Sequence, residues 1–284
     1  MKTNVLITGA AGGLGKAFSA ECASRGWDLY LTDRSMESLE PLAVGITRMY
    51  GVDVQVFAAD LTIAAERAAL WAHVAKQSLR LHMLLNVAGL DYEGPFSERL
   101  VAEIRAILRL NVEATLEMTH HALNYRDPLR AFHIVNVSSL AAFYPMPLKA
   151  VYASSKRFLL DWSLALDQEL RPSGISVLVL CPAGMPSNPQ LVQAIEAQGV
   201  AGRITTVNVG TVASQALDQA LEGRSICIPG MPSQVLGVLG RIVPPRVAAA
   251  AIGSRWRRAH ERACGSHALS RSPSPETPRT AAIA

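Results

Sequence analysis

A glycine-rich turn between an apolar run and an amphipathic stretch limits the folds open to this chain more than any other feature. Val5-Leu6-Ile7 leads into Thr8-Gly9-Ala10-Ala11-Gly12-Gly13-Leu14-Gly15, and a helical pattern follows over 14–25. Glycines at 9, 13 and 15 let the backbone turn sharply and approach a ligand closely, while the free amides and positive end of the next helix favour an anion. The spacing is T-G-x-x-x-G-x-G rather than the G-x-G-x-x-G of the general dinucleotide fingerprint, so a pyrophosphate cradle must be argued from what lies downstream.

Downstream, two periodicities alternate. Short β-branched runs read as strands near 3–8, 28–32, 53–58, 82–87, 131–137, 175–181 and 225–228. Amphipathic stretches read as helices near 14–25, 36–50, 62–78, 98–125, 152–170 and 208–222. That alternation predicts an α/β fold, a three-layer doubly wound Rossmann-type domain with a seven-stranded parallel sheet. Every strand then ends on one edge, where ligands bind, and the polar motifs should gather there.

They fall at strand ends. Asp33 closes the second strand, 24 residues after Gly9, where a carboxylate can bond ribose hydroxyls and repel a 2′-phosphate; it could instead open a turn or cap the next helix. Arg34 beside it could stack on adenine or pair with a phosphate. Asp60-Leu61 closes the third strand, where the aspartate can reach an adenine amino group or N-cap a helix from Thr62. After the fourth strand comes Asn86-Val87-Ala88-Gly89, small residues a nucleotide can lie against, with an amide in Asn86 able to tie neighbouring strands. Asn111 sits inside the long 98–125 helix, where its side chain is either solvated or wanted inside. Ser138 and Ser139 follow the fifth strand, and Tyr152 and Lys156 are spaced i and i+4 on one helix face.

In this order, T-G-x-x-x-G-x-G, N-V-A-G, a mid-helix Asn, Ser and Y-x-x-x-K resemble the short-chain dehydrogenase/reductase family over about residues 3–230. The resemblance implies Tyr152 as general acid/base, Lys156 as the residue that lowers its pKa and holds the nicotinamide ribose, Ser139 as the group that positions the substrate oxygen, and Asn111 as the anchor of a proton-relay water. It also implies a cofactor site built from Gly9, Gly13, Leu14, Gly15, Asp33, Arg34, Asp60, Leu61, Asn86, Ala88, Gly89, Tyr152, Lys156, Pro182, Met185 and Ser187. Asp33 favours NAD over NADP, since Gly12 supplies no basic partner for a phosphate. The chain departs from the family pattern at Val87, usually Asn, at Ala183, usually Gly, and at Ser187, usually Thr. A substrate lid is implied over 185–207. Association as a homodimer or homotetramer through the helices holding Asn111 and Tyr152 is implied as well.

Just beyond the strand ends stand Leu90, Tyr92, Phe143, Tyr144, Met146 and Met185, which point to an apolar small-molecule substrate or to ordinary packing. His120, His121 and His133 have no metal-ligand spacing and read as structural, with no metal expected.

Composition separates the ends of the chain. Eight arginines against Glu261 and Glu276 give residues 241–284 a charge of +6, leaving −2 for the rest of a chain whose total is +4. A basic tail on a slightly acidic domain, without aromatic-basic interleaving, is not a nucleic-acid-binding pattern. The domain is expected over 1–230, a basic apolar extension over 231–264 and a disordered tail over 265–284. The extension, chiefly 234–264, could lie on an anionic membrane surface, cover the substrate mouth or pack on a second subunit. Four scattered cysteines, an N-terminus that enters the first strand at once and no membrane-length apolar run lead to the expectation of a reduced, cytoplasmic protein without a signal peptide. A dinucleotide-binding sensor without turnover and a membrane-peripheral scaffold are the readings that compete with an oxidoreductase.

Overall fold

The computed structural model describes residues 3–184 and 208–254. Met185, Ser187, the 185–207 lid segment and the 265–284 tail lie outside the described residues. Seven parallel strands form one sheet: β1 Asn4–Thr8, β2 Asp28–Asp33, β3 Val54–Ala58, β4 Met83–Asn86, β5 Phe132–Val137, β6 Ile175–Leu180 and β7 Ile226–Cys227. The order across it is β3-β2-β1-β4-β5-β6-β7. The chain therefore winds outward one way from β1 and then the other way from β4. The crevice at that reversal lies beyond the carboxyl end of β1, where the glycine turn stands.

Alternation along each strand decides what each face buries. In β1, Val5 and Ile7 join one apolar cluster with Phe18, Leu29 and Leu217, while Leu6 joins another with Tyr30, Leu70 and Ile134. Helices α1 (Gly13–Ser24), α2 (Met36–Tyr50) and α7 (Val209–Leu221) contribute to the first layer. Helices α3 (Ala64–Lys76) and α5 (Thr115–Tyr125) contribute to the second. Because both faces are covered, the central strands are apolar almost throughout, and polar side chains appear where they end. The register puts Thr8 level with Thr32 and Asn86, and Asn86 level with Asn136.

The expected 98–125 helix is not one regular helix. A 3₁₀ turn at Phe96–Glu98 precedes α4 (Val101–Leu108), a π-helical segment covers Arg109–Ala114, and α5 follows. The π segment carries Asn111, whose side chain is fully buried and bonded to residues outside the helix. Such a local widening is found where a helix must aim a group inward. α6 (Ala150–Leu170) holds Tyr152 and Lys156 a turn apart.

Beyond β7 the chain is more ordered than its prolines imply. Met231–Ile242 forms a helix, α8, and residues 245–254 are helical too. Pro232 lies in the first turn of α8, where a missing amide hydrogen costs nothing.

Candidate active site

The glycine turn is shaped as a cradle that side chains would fill. Gly9 has φ +65°, and a Cβ there would stand 2.8 Å from the Ala88 Cα and amide nitrogen. A Cβ on Gly15 would come within 2.1 Å of the Gly9 carbonyl oxygen and 2.7 Å of the Ala10 Cα. Helix α1 starts with no side-chain cap and no acidic residue in its first turn. Gly13, Leu14 and Gly15 therefore bring amides and a positive helix end to a place open to an anion. The residues present fit the pyrophosphate of a dinucleotide.

Asp33 is tied to this turn. Its Oδ2 accepts the Ala11 amide at 3.0 Å, and its Oδ1 accepts the Arg34 amide at 2.7 Å. It caps neither a helix nor an isolated turn; it joins the end of β2 to the cradle, while Ser35 is the N-cap of α2. Asp60 is not the N-cap of the next helix either. Its Oδ1 accepts the Thr62 amide at 2.9 Å and the Thr62 hydroxyl at 2.7 Å, a side-chain turn one step ahead of Ile63, the N-cap of α3. The neighbouring Leu61 carbonyl accepts from buried Arg67 at 2.7 Å.

The N-V-A-G segment is fastened from two sides. Thr8 Oγ1 accepts the Val87 and Ala88 amides at 3.0 and 3.2 Å. The Asn86 amide nitrogen donates to Thr119 Oγ1 at 2.9 Å and Asn136 Oδ1 at 2.8 Å, so it does tie β4 to β5. Gly89 is level with the catalytic candidates: a Cβ there would lie 3.2 Å from Lys156 Nζ and 3.3 Å from Asn111 Oδ1. Asn111 Oδ1 accepts the Leu90 amide at 2.8 Å, and its Nδ2 donates to the Leu90 carbonyl at 2.9 Å and Ser155 Oγ at 3.0 Å. The polar side chain is wanted inside, as a brace between the π segment, the 89–90 loop and α6.

Of the two serines after β5, Ser138 is buried and donates to the Lys156 carbonyl at 2.7 Å. Ser139 is half-buried; its hydroxyl accepts the Ala141 amide at 3.1 Å, and its proximity to the Tyr152 phenol favours the ionised form of that phenol. The turn it opens, Leu140–Phe143, is held by the Leu140 amide donating to the Pro182 carbonyl at 2.8 Å, which joins the ends of β5 and β6. Burial and the negative charge of Asp91 push the Tyr152 phenol up, and the Ser139 contact pulls it back. Lys156 is buried and donates to the Val137 carbonyl at 2.9 Å, with Nζ 5.8 Å from the Tyr152 ring centroid. Its burial lowers the ammonium to about 8, against an opposing pull from Asp91.

Sequence reading missed Lys149 and Asp91. Lys149 bonds Asp91 at 2.5 Å and stands 5.7 Å from the Tyr152 ring centroid. Its position three residues before Tyr152, at the start of the same helix, was the available signal. Among the proposed pocket residues, Phe143 is buried in core packing and Tyr144 donates its hydroxyl to the Leu236 carbonyl. Among the described residues no cluster of His, Cys, Asp and Glu could hold a metal; His133 is bonded to Ser176 at 2.8 Å.

A glycine turn shaped to cradle a pyrophosphate at the sheet's reversal point, followed along the same edge by Ser139, Tyr152 and Lys156, defines a doubly wound α/β protein of the Rossmann type. The short chain dehydrogenase family model matches residues 3–198, and the chain belongs to that family. A very-long-chain 3-oxoacyl-CoA reductase of Pyrenophora tritici-repentis is 34% identical over 179 residues, 62% of this chain and 52% of that protein. Human 17-beta-hydroxysteroid dehydrogenase type 3 is 33% identical over 181 residues, 62% of this chain and 57% of that protein. The match thus spans little more than half the length of these relatives. A short-chain dehydrogenase from Sphingobium yanoikuyae, solved in complex with NADPH, superposes with a TM-score of 0.71 at 25% identity, covering 96% of this chain and 98% of the other.

Proposed function

We propose that this chain is a nicotinamide-dependent oxidoreductase that interconverts a secondary alcohol and a ketone on an apolar small molecule. The observation that carries this reading is the meeting of Ser139, Tyr152, Lys156 and Asn111 at the carboxyl edge beside a glycine cradle. When bound, the dinucleotide supplies or takes the hydride. In the reducing direction the Tyr152 O–H bond breaks as its proton passes to the substrate oxygen, which the Ser139 hydroxyl orients. Lys156 then stabilises the phenolate, and an ammonium near pH 8 can hold or pass a proton at the working pH. Asn111 keeps the π segment and the 89–90 loop in register with α6.

NAD is the preferred cofactor, supported by Asp33 at the cradle and the absence of a basic side chain at Gly12; NADPH on the Sphingobium relative makes NADP the comparison to run. An apolar substrate is supported by the relatives named for long-chain acyl and steroid chemistry. Two-fold association is supported by the outward side of α6, where Phe158 and Trp162 stack with centroids 6.5 Å apart. Leu159, Leu166 and Leu170 pack on the chain's own core instead. A cytoplasmic location is supported by the free thiols among the described residues, Cys22, Cys181 and Cys227, all of them buried.

The experiment is a screen of ketones and secondary alcohols with NAD(H) and NADP(H), followed by Tyr152→Phe on whatever substrate the wild type turns over. Turnover should fall about 10²–10⁴-fold with cofactor affinity little changed. A fully active Tyr152→Phe protein would overturn the mechanism. Wild-type binding of dinucleotide with no turnover across the screen would favour the sensor reading.

A further inference from the structure

Helix α8 is built inside out for a surface helix. It packs on the domain through its small residues: Ser233 and Gly237 are buried, and Gly240 lies against Phe143. A Cβ on Gly237 would sit 2.9 Å from Ile228 Cδ1, and one on Gly240 2.7 Å from Phe143 Cβ and 2.9 Å from the Phe143 carbonyl oxygen. The Tyr144 hydroxyl bonds the Leu236 carbonyl, and the Arg241 guanidinium lies 5.4 Å from the Phe143 ring centroid. The helix is pinned close, so its orientation is set.

That orientation turns the large apolar residues outward. Met231, Val235, Val238 and Ile242 follow i, i+4, i+7, i+11 and form one stripe, exposed by 73, 57, 55 and 71%. Val247 continues it at 58%. A helix of a water-soluble surface places charged and polar residues there. Here the sequence from 223 to 260 has no acidic residue, while Arg241 and Arg246 are exposed and Arg255, Arg257 and Arg258 follow before Glu261.

We propose that the outward face of α8 docks on an anionic lipid surface, with Met231, Val235, Val238 and Ile242 entering the headgroup boundary and Arg241 and Arg246 meeting lipid phosphates and carboxylates. An apolar stripe flanked by guanidiniums, in a stretch of sequence without acidic residues, is the pattern that lies in a membrane interface. No helix among the described residues is long and apolar enough to cross a bilayer, and a peripheral contact needs none. A second copy of the chain fits less well, because a two-fold contact sets the patch against itself and arginines against arginines. The contact goes beyond the oxidoreductase reading, and it places lipid beside the turn that Ser139 opens. An apolar substrate would then reach the site from the bilayer.

The test is co-sedimentation of the full chain with phosphatidylcholine vesicles, with and without phosphatidylserine. The wild type should bind the mixed vesicles, more weakly as salt rises, and the pure phosphatidylcholine vesicles little. Replacing Met231, Val235, Val238 and Ile242 together by Ser should weaken binding about tenfold or more, with the circular dichroism spectrum and dinucleotide affinity kept. Arg241→Gln with Arg246→Gln should remove the phosphatidylserine and salt dependence. Equal sedimentation of the four-Ser variant, or equal binding to both vesicle types, would overturn the proposal. So would a wild-type dimer that the four-Ser variant loses while neither protein binds vesicles. None of these readouts needs turnover, so they stand or fall separately from the Tyr152 experiment.

Discussion

Lys149 holds its ammonium 5.7 Å from the centroid of the Tyr152 ring, nearly the 5.8 Å at which Lys156 stands, and so two cations rather than one flank the candidate acid/base. They differ in company. Lys156 is buried and bonded to a carbonyl, whereas Lys149 is paired with Asp91 at 2.5 Å and Glu93 at 3.3 Å. Asp91 therefore cancels part of a positive field that would otherwise act on the phenol.

Asp91→Asn should shift the pH dependence of alcohol oxidation towards acid. Removing the negative charge takes away one of the influences that raise the Tyr152 phenol, and it also removes the pull that keeps Lys156 from falling further below about 8. Asp91 is partly exposed, so a shift of about half a unit is expected rather than the full effect of a buried charge. Lys149→Met should move the same limb the other way. The measurement is kcat against pH at saturating cofactor; an unmoved limb in both variants would show that the ion pair only anchors the 91–93 loop.

Gly15→Ala should cripple cofactor binding while the sheet still forms. The added Cβ would meet the Gly9 carbonyl oxygen at 2.1 Å, and both partners are backbone, so the cradle itself must open. A loss of tenfold or more in dinucleotide affinity, about 1.4 kcal/mol, is the minimum expected. Gly51→Ala makes the control: no atom lies within 4 Å of its Cβ position, and its φ of +69° confines the cost to folding stability. Isothermal titration with each dinucleotide checks both, and similar affinities for the two variants would argue against the cradle.

Strand period and glycine spacing made the sheet legible because they are local properties: all seven strands lie within a residue or two of where alternation puts them, down to the two-residue β7. The Tyr152–Lys156 face was legible for the same reason, whereas the strand order and the choice between a solvated and an inward Asn111 depend on contacts far apart in the chain. The π segment was not legible, since it exists to satisfy bonds from Asn111 to Leu90 and Ser155, residues 21 and 44 positions away. Helix α8 was hidden by Pro232 and by its small residues, which look like loop formers until Ile228 and Phe143 are seen against them. Asp60 could serve as ligand or cap on sequence grounds, and the cap was excluded only by the position of Ile63.

Arg67 supplies the last prediction, because it joins the Asp60–Leu61 loop to the segment that carries Asn111. Its side chain is 1% exposed; Nε and Nη2 grip Glu117 at 2.6 and 2.9 Å, Nη2 reaches Glu113 at 2.5 Å, and Nη1 donates to the Leu61 carbonyl at 2.7 Å. Arg67→Met keeps much of the packing and removes all four bonds. Breaking a fully buried ion pair costs about 3–5 kcal/mol, but Glu117 and Glu113 are 42 and 48% exposed and regain water, so about 2–3 kcal/mol is expected here. The pH dependence has a definite sign. The hydrogen bond from Arg67 leads the influences on Glu117 and holds its carboxyl below the ordinary 4.5. A carboxylate depressed in the folded state contributes stability that is complete above its unfolded value and lost as pH falls through the folded one. Urea unfolding of both proteins should therefore show the full gap near neutral pH and a narrowing gap as pH drops below 4.5. A gap that widened in acid would mean that Glu117 is not held by Arg67, and that the tie between α3 and the π segment lies elsewhere.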